Sequence, residues 1–254
     1  MKAVSEGLLR MVRRYRQRYK SLFCHRKDAF ALQTDEGTYY AVRKPVTGKL
    51  IEAHLLGKVT AGWYALDREN TLRWAVLDAD ERDGLAQLQR VGLALREKGW
   101  PTYLEASRRG GHLWIFFSPG EGRQERLEAR PVRTVLNRLL KELGLLEQIE
   151  LFPKQDQLTR EGLGSLVRGP LGVHRACGRR FGFLDLDTLE PVAKTLAEEL
   201  EYLAGFQPVS VNSGIKFPIS IGIGFPRTGV RMLGSVLLCR LSEFAEDTSA
   251  TLLA

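Results

Sequence analysis

The most restrictive stretch of the chain is Leu72-Arg-Trp-Ala-Val-Leu77, an apolar strand that runs directly into Asp78-Ala-Asp80. In extended backbone, residues two apart share a face, so both carboxylates point the same way. Two ionised carboxylates side by side repel unless a cation lies between them. Hard oxygen ligands suit Mg²⁺ or Mn²⁺, which keep waters and accept substrate phosphates as further ligands. Taken alone, the pair reads more readily as a solvated strand end, with Glu81, Arg82 and Asp83 beside it.

The rest of the chain surrounds this strand with both kinds of element. Leu8, Leu9, Met11, Val12, Tyr15 and Tyr19 have helical spacing within residues 3–20, with arginines on the other face. Two short strands flank a Glu36-Gly37 turn. An amphipathic helix with Leu85, Leu88, Val91, Leu93 and Leu95 closes at Gly99, before Pro101. Residues 102–107 and 112–117 read as strands on either side of an Arg-Arg-Gly-Gly turn. A further helix spans Gln124 to Leu143, a strand ends at Pro153, and another helix follows with Pro191 at its start. Strands and helices alternate without a uniform parallel rhythm. The expected class is α+β with mixed sheets. The last fifty residues are rich in Gly, Ile and Val and poor in acids, which fits an edge hairpin or a poorly packed tail.

A third acid, Glu150, sits in Gln148-Ile-Glu-Leu-Phe-Pro153, where Ile149 and Leu151 face a core. Alone it is more often a surface acid. A two-metal phosphoryl-transfer site needs about three carboxylates, and Asp78, Asp80 and Glu150 supply that number. Beside them lies Ser107-Arg-Arg-Gly-Gly-His112. Its glycines let backbone approach a ligand, and Arg108 and Arg109 can contact phosphate oxygens bidentately. His112 can donate to a phosphate. Arg168 and His174 flank a Gly-Pro turn and form a second basic group. Each feature has an ordinary reading: a solvated hairpin tip for the arginines, a capped core residue for His112. Their succession is harder to dismiss.

Charge agrees with a phosphate-bearing partner: 38 Lys plus Arg exceed 30 Asp plus Glu, giving +8 and a pI near 9.5. Many basic proteins nevertheless bind none. Cys24, Cys177 and Cys239 make neither a disulfide framework nor a zinc pattern, so a reducing, cytoplasmic setting is expected. No apolar run reaches the ~18 residues of a membrane span.

Asp78-x-Asp80, Ser107-Arg-Arg-Gly-Gly-His112 and Ile149-Glu150, in that order, resemble the three motifs of archaeo-eukaryotic primases. The segment from Ile149 to His174 is closer still to the primase-polymerase domains of TOTE conflict systems and of CRISPR-associated systems. The resemblance covers roughly residues 20–190. Three departures stand out. The third acid is Glu where small primase subunits carry Asp, Gly169 replaces a larger residue, and no zinc knuckle is present. The tail from about Gly205 does not match, so the expected division is a catalytic domain at 1–204 and an extension at 205–254.

The resemblance implies an RRM-like sheet packed against an N-terminal α/β unit, and a template-directed nucleotidyltransferase that acts as a monomer. It implies two Mg²⁺ or Mn²⁺ ions on Asp78, Asp80 and Glu150. Ser107, Arg108, Arg109, His112, Arg168 and His174 would hold the nucleoside triphosphate. Lys154, Arg175, Arg179 and Arg180 would meet a single-stranded DNA template and primer. Fusion or association with helicase, CRISPR or reverse-transcriptase components is in keeping with that group. Two other readings stay open: a two-metal nuclease using Glu150 and Lys154, and a non-catalytic RRM-like module that stacks bases on Trp114, Phe116 and Phe117. Arg13, Arg14, Arg16, Arg18 and Lys20 on the first helix either track a template strand or keep the surface solvated.

Overall fold

The computed structural model describes residues 5–119 and 127–211. The first helix, α1 (Glu6–Phe23), begins where the Ser5 hydroxyl accepts from the Leu8 N–H. Val12, Tyr19, Leu22 and Phe23 fall on one stripe and are buried. Two strands follow, β1 (Phe30–Gln33) and β2 (Tyr39–Val42), joined through Gly37 at φ 94°. A helix and a strand that the periodicity does not announce come next. They are α2 (Gly48–Leu55), capped by the Thr47 hydroxyl, and β3 (Ala61–Tyr64).

The next six elements are β4 (Trp74–Ala79), α3 (Gly84–Glu97), β5 (Tyr103–Ala106), β6 (Gly111–Pro119), α4 (Ala129–Glu142) and β7 (Glu150–Phe152). Their sheet order is β5-β6-β4-β7, antiparallel throughout. That is the split β-α-β-β-α-β arrangement of RRM-like domains. The C-terminal part adds β8 (Leu166–Arg168), β9 (Val173–His174), β10 (Arg179–Arg180), β11 (Phe183–Leu184), α5 (Leu196–Tyr202) and β12 (Val209–Val211). β11 extends the RRM-like sheet beside β5, and β12 pairs with the end of β6. A second sheet, β2-β1-β3-β8, belongs to the N-terminal unit. The class is α+β. Among the described strands the β6–β12 pair is parallel, and the other pairs are antiparallel.

One core joins the two sheets. Trp63 and Val167 of the first meet Trp74, Val76, Trp114, Phe116 and Phe152 of the second, with Tyr19 and Phe23 of α1 between them. The indoles of Trp63, Trp74 and Trp114 are buried and each N–H is satisfied, by Tyr19 Oη, the Phe23 carbonyl and Glu105 respectively. A buried donor left unpaired would cost about 1–3 kcal/mol. The opposite face of the RRM-like sheet carries Leu77, Leu104 and Leu113 and is covered by α3.

Two expected helix starts change. The helix near Pro191 starts at Leu196, because Thr195 and Glu198 form a capping box, while Pro191 bridges to Leu184. The helix expected from Gln124 starts at Ala129, with Pro131 in its first turn, where a missing N–H is tolerated; residues 124–126 lie outside the described residues. The basic residues of α1 are largely engaged within the fold. Arg13 and Arg16 pair with Glu52 of α2, Arg18 donates to the Leu203 carbonyl at 3.2 Å, and Lys20 donates to the Val46 carbonyl at 2.7 Å. Those contacts tie α1 to its neighbours, while the Arg13 and Arg16 side chains stay 59% and 44% exposed. Beyond the boundary expected at Gly205, Phe206 packs in the same core and β12 joins the same sheet; residues 212–254 lie outside the described residues.

Candidate active site

Strand register builds the site. A turn over Ser107–Gly110 sets Ala106 opposite Gly111 and Glu105 opposite His112. On the other side of β6, His112 lies opposite Asp78, and Asp78 lies opposite Glu150 of β7. Directly opposed residues share a face. Glu105, His112, Asp78 and Glu150 therefore form one row straight across four strands.

The inner end of this row is buried and fully bonded. Glu105 has no exposed surface. One of its oxygens accepts from Arg168 at 2.6 Å, and the other accepts from His112 Nδ1 at 3.0 Å and from the Trp114 indole at 2.9 Å. Burial acts to raise the Glu105 carboxyl, but the Arg168 and His112 charges and the bonds from His112 and Trp114 outweigh it and hold the group below its ordinary value. An ionised Glu105 fixes the proton on His112 Nδ1 and leaves Nε2 facing Asp78, 3.8 Å away. Glu105 was not among the residues singled out from the sequence. Its signal was the hairpin itself, since a four-residue turn at Ser107–Gly110 necessarily sets residue 105 against residue 112.

The outer end is open. Asp78 is partly buried, and its Oδ1 is sealed from solvent with no hydrogen-bond partner. Burial raises its carboxyl, His112 lowers it, and the negative charges of Asp80, Glu150 and Glu105 raise it further. Asp80 and Glu150 are exposed; Asp80 pairs with Arg109, and Glu150 pairs with Lys154 at 2.8 Å. Exposed pairs of this kind hold their partners by about 0–1 kcal/mol. As the side chains stand, no three acidic, His or Cys groups among the described residues converge to enclose an ion. The donor set nonetheless fits a hard divalent cation: a buried carboxylate oxygen lacks a partner, like charges surround it, and two further carboxylates flank it on weak ties.

The basic turn has a structural reason for its glycines. A Cβ on Gly110 would lie 1.9 Å from the Ala79 carbonyl oxygen, and one on Gly111 would lie 2.9 Å from that of Glu105. Gly110 lets the turn close on the backbone between Asp78 and Asp80 rather than on a ligand. Ser107 completes the turn by accepting from the Gly110 N–H at 3.1 Å. Arg108 is exposed and makes no ion pair among the described residues. Its charge reaches His174: burial, then Arg168, then Arg108, push the His174 imidazole below its ordinary value. His174 Nδ1 is buried and unpartnered. The two basic groups thus belong to one neighbourhood.

Other expected ligands sit differently. Arg168 is 7% exposed and committed to Glu105, with Phe181 beneath its guanidinium, so it does not offer an open cation to a phosphate. Gly169 is required where it stands, because a Cβ would meet Trp63 Nε1 at 2.6 Å and Tyr19 Oη at 2.9 Å. Arg180 is partly buried, and its Nη1 is sealed from solvent with no hydrogen-bond partner. Arg179 is exposed beside Phe181, and Arg175 pairs with Asp35. Lys154 lies over the Phe152 ring and against Glu150.

Residues 13–213 match the family model described as TOTE conflict system, Archaeo-Eukaryotic Primase domain. The match spans most of the chain and both sheets, and the chain belongs to that family. Membership implies nucleotidyltransferase-type activity, with nucleic acid and nucleoside triphosphates as partners. No curated protein matches the chain. No helix among the described residues is long and apolar enough to cross a membrane.

Proposed function

We propose that this domain is a template-dependent nucleotidyltransferase that extends a 3′-hydroxyl with nucleoside triphosphates. The 3′-oxygen attacks the α-phosphorus, the bond to the β-phosphate oxygen breaks, and pyrophosphate leaves. The observation that carries this reading is the Glu105–His112–Asp78–Glu150 row, with the orphaned Asp78 Oδ1 at its centre and basic groups beside it. Asp78, Asp80 and Glu150 would hold two divalent ions. When bound, such ions lower the pKa of the attacking hydroxyl and neutralise the triphosphate and the leaving group. Arg109 and Lys154 then exchange their carboxylate partners for phosphate oxygens. His112 Nε2, oriented through Nδ1 by Glu105, faces Asp78 and would bond a phosphate oxygen that enters on that side. Arg108 and His174 approach from the other basic group, and Arg168 acts through Glu105 as a positioning residue. The chain's contribution is preorganised charge and orientation, as in other phosphoryl transfers.

Two features favour this reading over its rivals. Trp114, Phe116 and Phe117 are at most 4% exposed, so they offer no platform for stacked bases. A nuclease needs the acids and one lysine, whereas Arg108, Arg109, His112 and His174 supply the several donors that a triphosphate requires. The test is primer–template extension with each of the ribo- and deoxyribonucleotides, with Mg²⁺ or Mn²⁺. Incorporation that Asp78→Asn abolishes is expected. Strand cleavage without incorporation, lost in the same variant, would establish the nuclease instead.

A further inference from the structure

A second basic site lies away from the acid row. A cavity of about 700 Å³ is lined by Arg26, Arg43, Arg68, Asn70, Arg160 and Glu161, among others. This is within the usual volume of a ligand-sized cleft, but its lining is far more cationic than an ordinary apolar pocket. Four guanidiniums line it; Asp28 bonds two of them, Arg26 and Arg68, and Glu161 also lies on the lining. Arg160 makes no ion pair among the described residues.

The cavity is built rather than incidental. Its far wall is the connection between β7 and β8, and three bonds tie that wall down. Asn70, at φ 61°, accepts from the Leu158 N–H at 2.6 Å; Arg43 donates to the Glu161 carbonyl at 2.8 Å; Arg26, buried, donates to that of Gly162 at 3.4 Å. Four guanidiniums gathered on one open cleft make a locally positive surface, and guanidinium forks match phosphate oxygens in pairs. The same connection begins at Lys154, which touches Glu150 of the acid row. One segment of chain, with Lys154 at one end and Arg160 towards the other, therefore links the acid row to the cavity.

We propose that this cavity holds phosphate groups of a single-stranded nucleic acid whose other end lies in the acid row. The proposal rests on the nucleic-acid reading of that row but not on its chemistry. Arg43, Arg68 and Arg160 are the exposed contacts; Arg26 holds the wall.

The test is binding of a labelled single-stranded oligonucleotide across a salt series, in Asp78→Asn protein without nucleotide or divalent ion, so that strand binding is read independently of incorporation. Arg43→Gln, Arg68→Gln and Arg160→Gln together should make the slope of log K against log salt shallower by about 2, at about 0.7 per lost contact. Arg160→Gln alone should remove about 0.7. This exposed, unpaired side chain can be replaced without disturbing the fold, so the single variant answers if the triple variant is unstable. Oligonucleotides with a 5′-phosphate and a 5′-hydroxyl separate the two sources of phosphate. Equal loss for both assigns backbone phosphates, and loss confined to the first assigns the strand's terminal phosphate; either supports the site. An unchanged slope in Arg160→Gln and in a folded triple variant overturns it.

Discussion

The two ends of the Glu105–His112–Asp78–Glu150 row share one sheet face and one register, yet they are built on opposite terms. At the inner end a fully buried carboxylate has both oxygens occupied by Arg168, His112 and Trp114. At the outer end a partly buried carboxylate has an oxygen with no partner, and its neighbours are held only by exposed ion pairs. The inner end is finished by the protein itself, and the outer end is left for something to complete. The contrast separates positioning from chemistry across three strand spacings, roughly 14–15 Å at about 4.8 Å each. It makes distinct predictions for stability and for activity.

The sharpest break comes from Asp78→Asn. Incorporation should fall by about a thousandfold or more, corresponding to the several kcal/mol that loss of a metal ligand withdraws. Stability should hold or rise, because the substitution removes a buried charge that Asp80, Glu150 and Glu105 all disfavour. Extension kinetics and the urea midpoint of the same preparation check both halves. A large loss of stability would show that the outer end is structural after all.

Glu105→Gln should behave the opposite way. It keeps the shape but strands Arg168 in the interior, and breaking a buried pair by removing one charge costs about 3–5 kcal/mol. The urea midpoint should fall accordingly. Activity measured well below that midpoint should retain a shifted pH profile, because His112 loses the carboxylate that fixes its Nδ1 proton. If stability falls without any change in the pH profile, Glu105 is a core residue only.

A smaller effect concerns pH, and two buried groups oppose each other in it. His54 is fully buried between Tyr19, the Ala61 N–H and the Pro170 carbonyl, and burial pushes its imidazole down to about 4. The unfolded chain therefore takes up a proton that the folded chain refuses, and stability is lost as pH falls from about 6.5 to 4. Glu199 is raised to about 7, chiefly by burial. Its folded form binds the proton first, so stability is gained as pH falls from 7 to about 4.5. The two slopes nearly cancel. Glu199→Gln, which still accepts from the Phe183 N–H, should uncover the His54 slope, a fall of about 3 kcal/mol between pH 6.5 and 4. Urea unfolding at a series of pH values reads it; a flat profile in the variant would refute the assignment to His54.

Much of this was legible in the chain. Asp78-x-Asp80 needed only the period of a strand, and Ser107–Gly110 only the chemistry of a turn. What escaped depended on tertiary burial. Arg168 reads as a phosphate ligand until Glu105 is placed against it across 63 residues of sequence. The short α2 and β3 carry too few periodic positions to announce themselves, and β3 is buried at all four residues, so it shows no alternation. The Pro191 start was a misreading of local signals, since Thr195-x-x-Glu198 marks the true cap in the sequence itself. The arginines of the second cavity are scattered from Arg26 to Arg160 and share no motif. Only the fold collects them.

The gentlest test lies at the outer rim. Arg109 and Lys154 each occupy a carboxylate that the proposed chemistry needs free. Both pairs are exposed, so Arg109→Gln and Lys154→Gln should each change stability by less than about 1 kcal/mol. Their effect on catalysis should fall on nucleotide KM, because each cation loses a phosphate partner rather than a structural one. Loss of either should also release Asp80 or Glu150 and so lower the Mn²⁺ concentration required for half-maximal extension. A KM increase together with that decrease means that the pairs are placeholders which substrate and ion displace together. A KM increase with a higher ion requirement means that the cations orient the acids, and the outer end is then more finished than its orphaned Asp78 oxygen suggests.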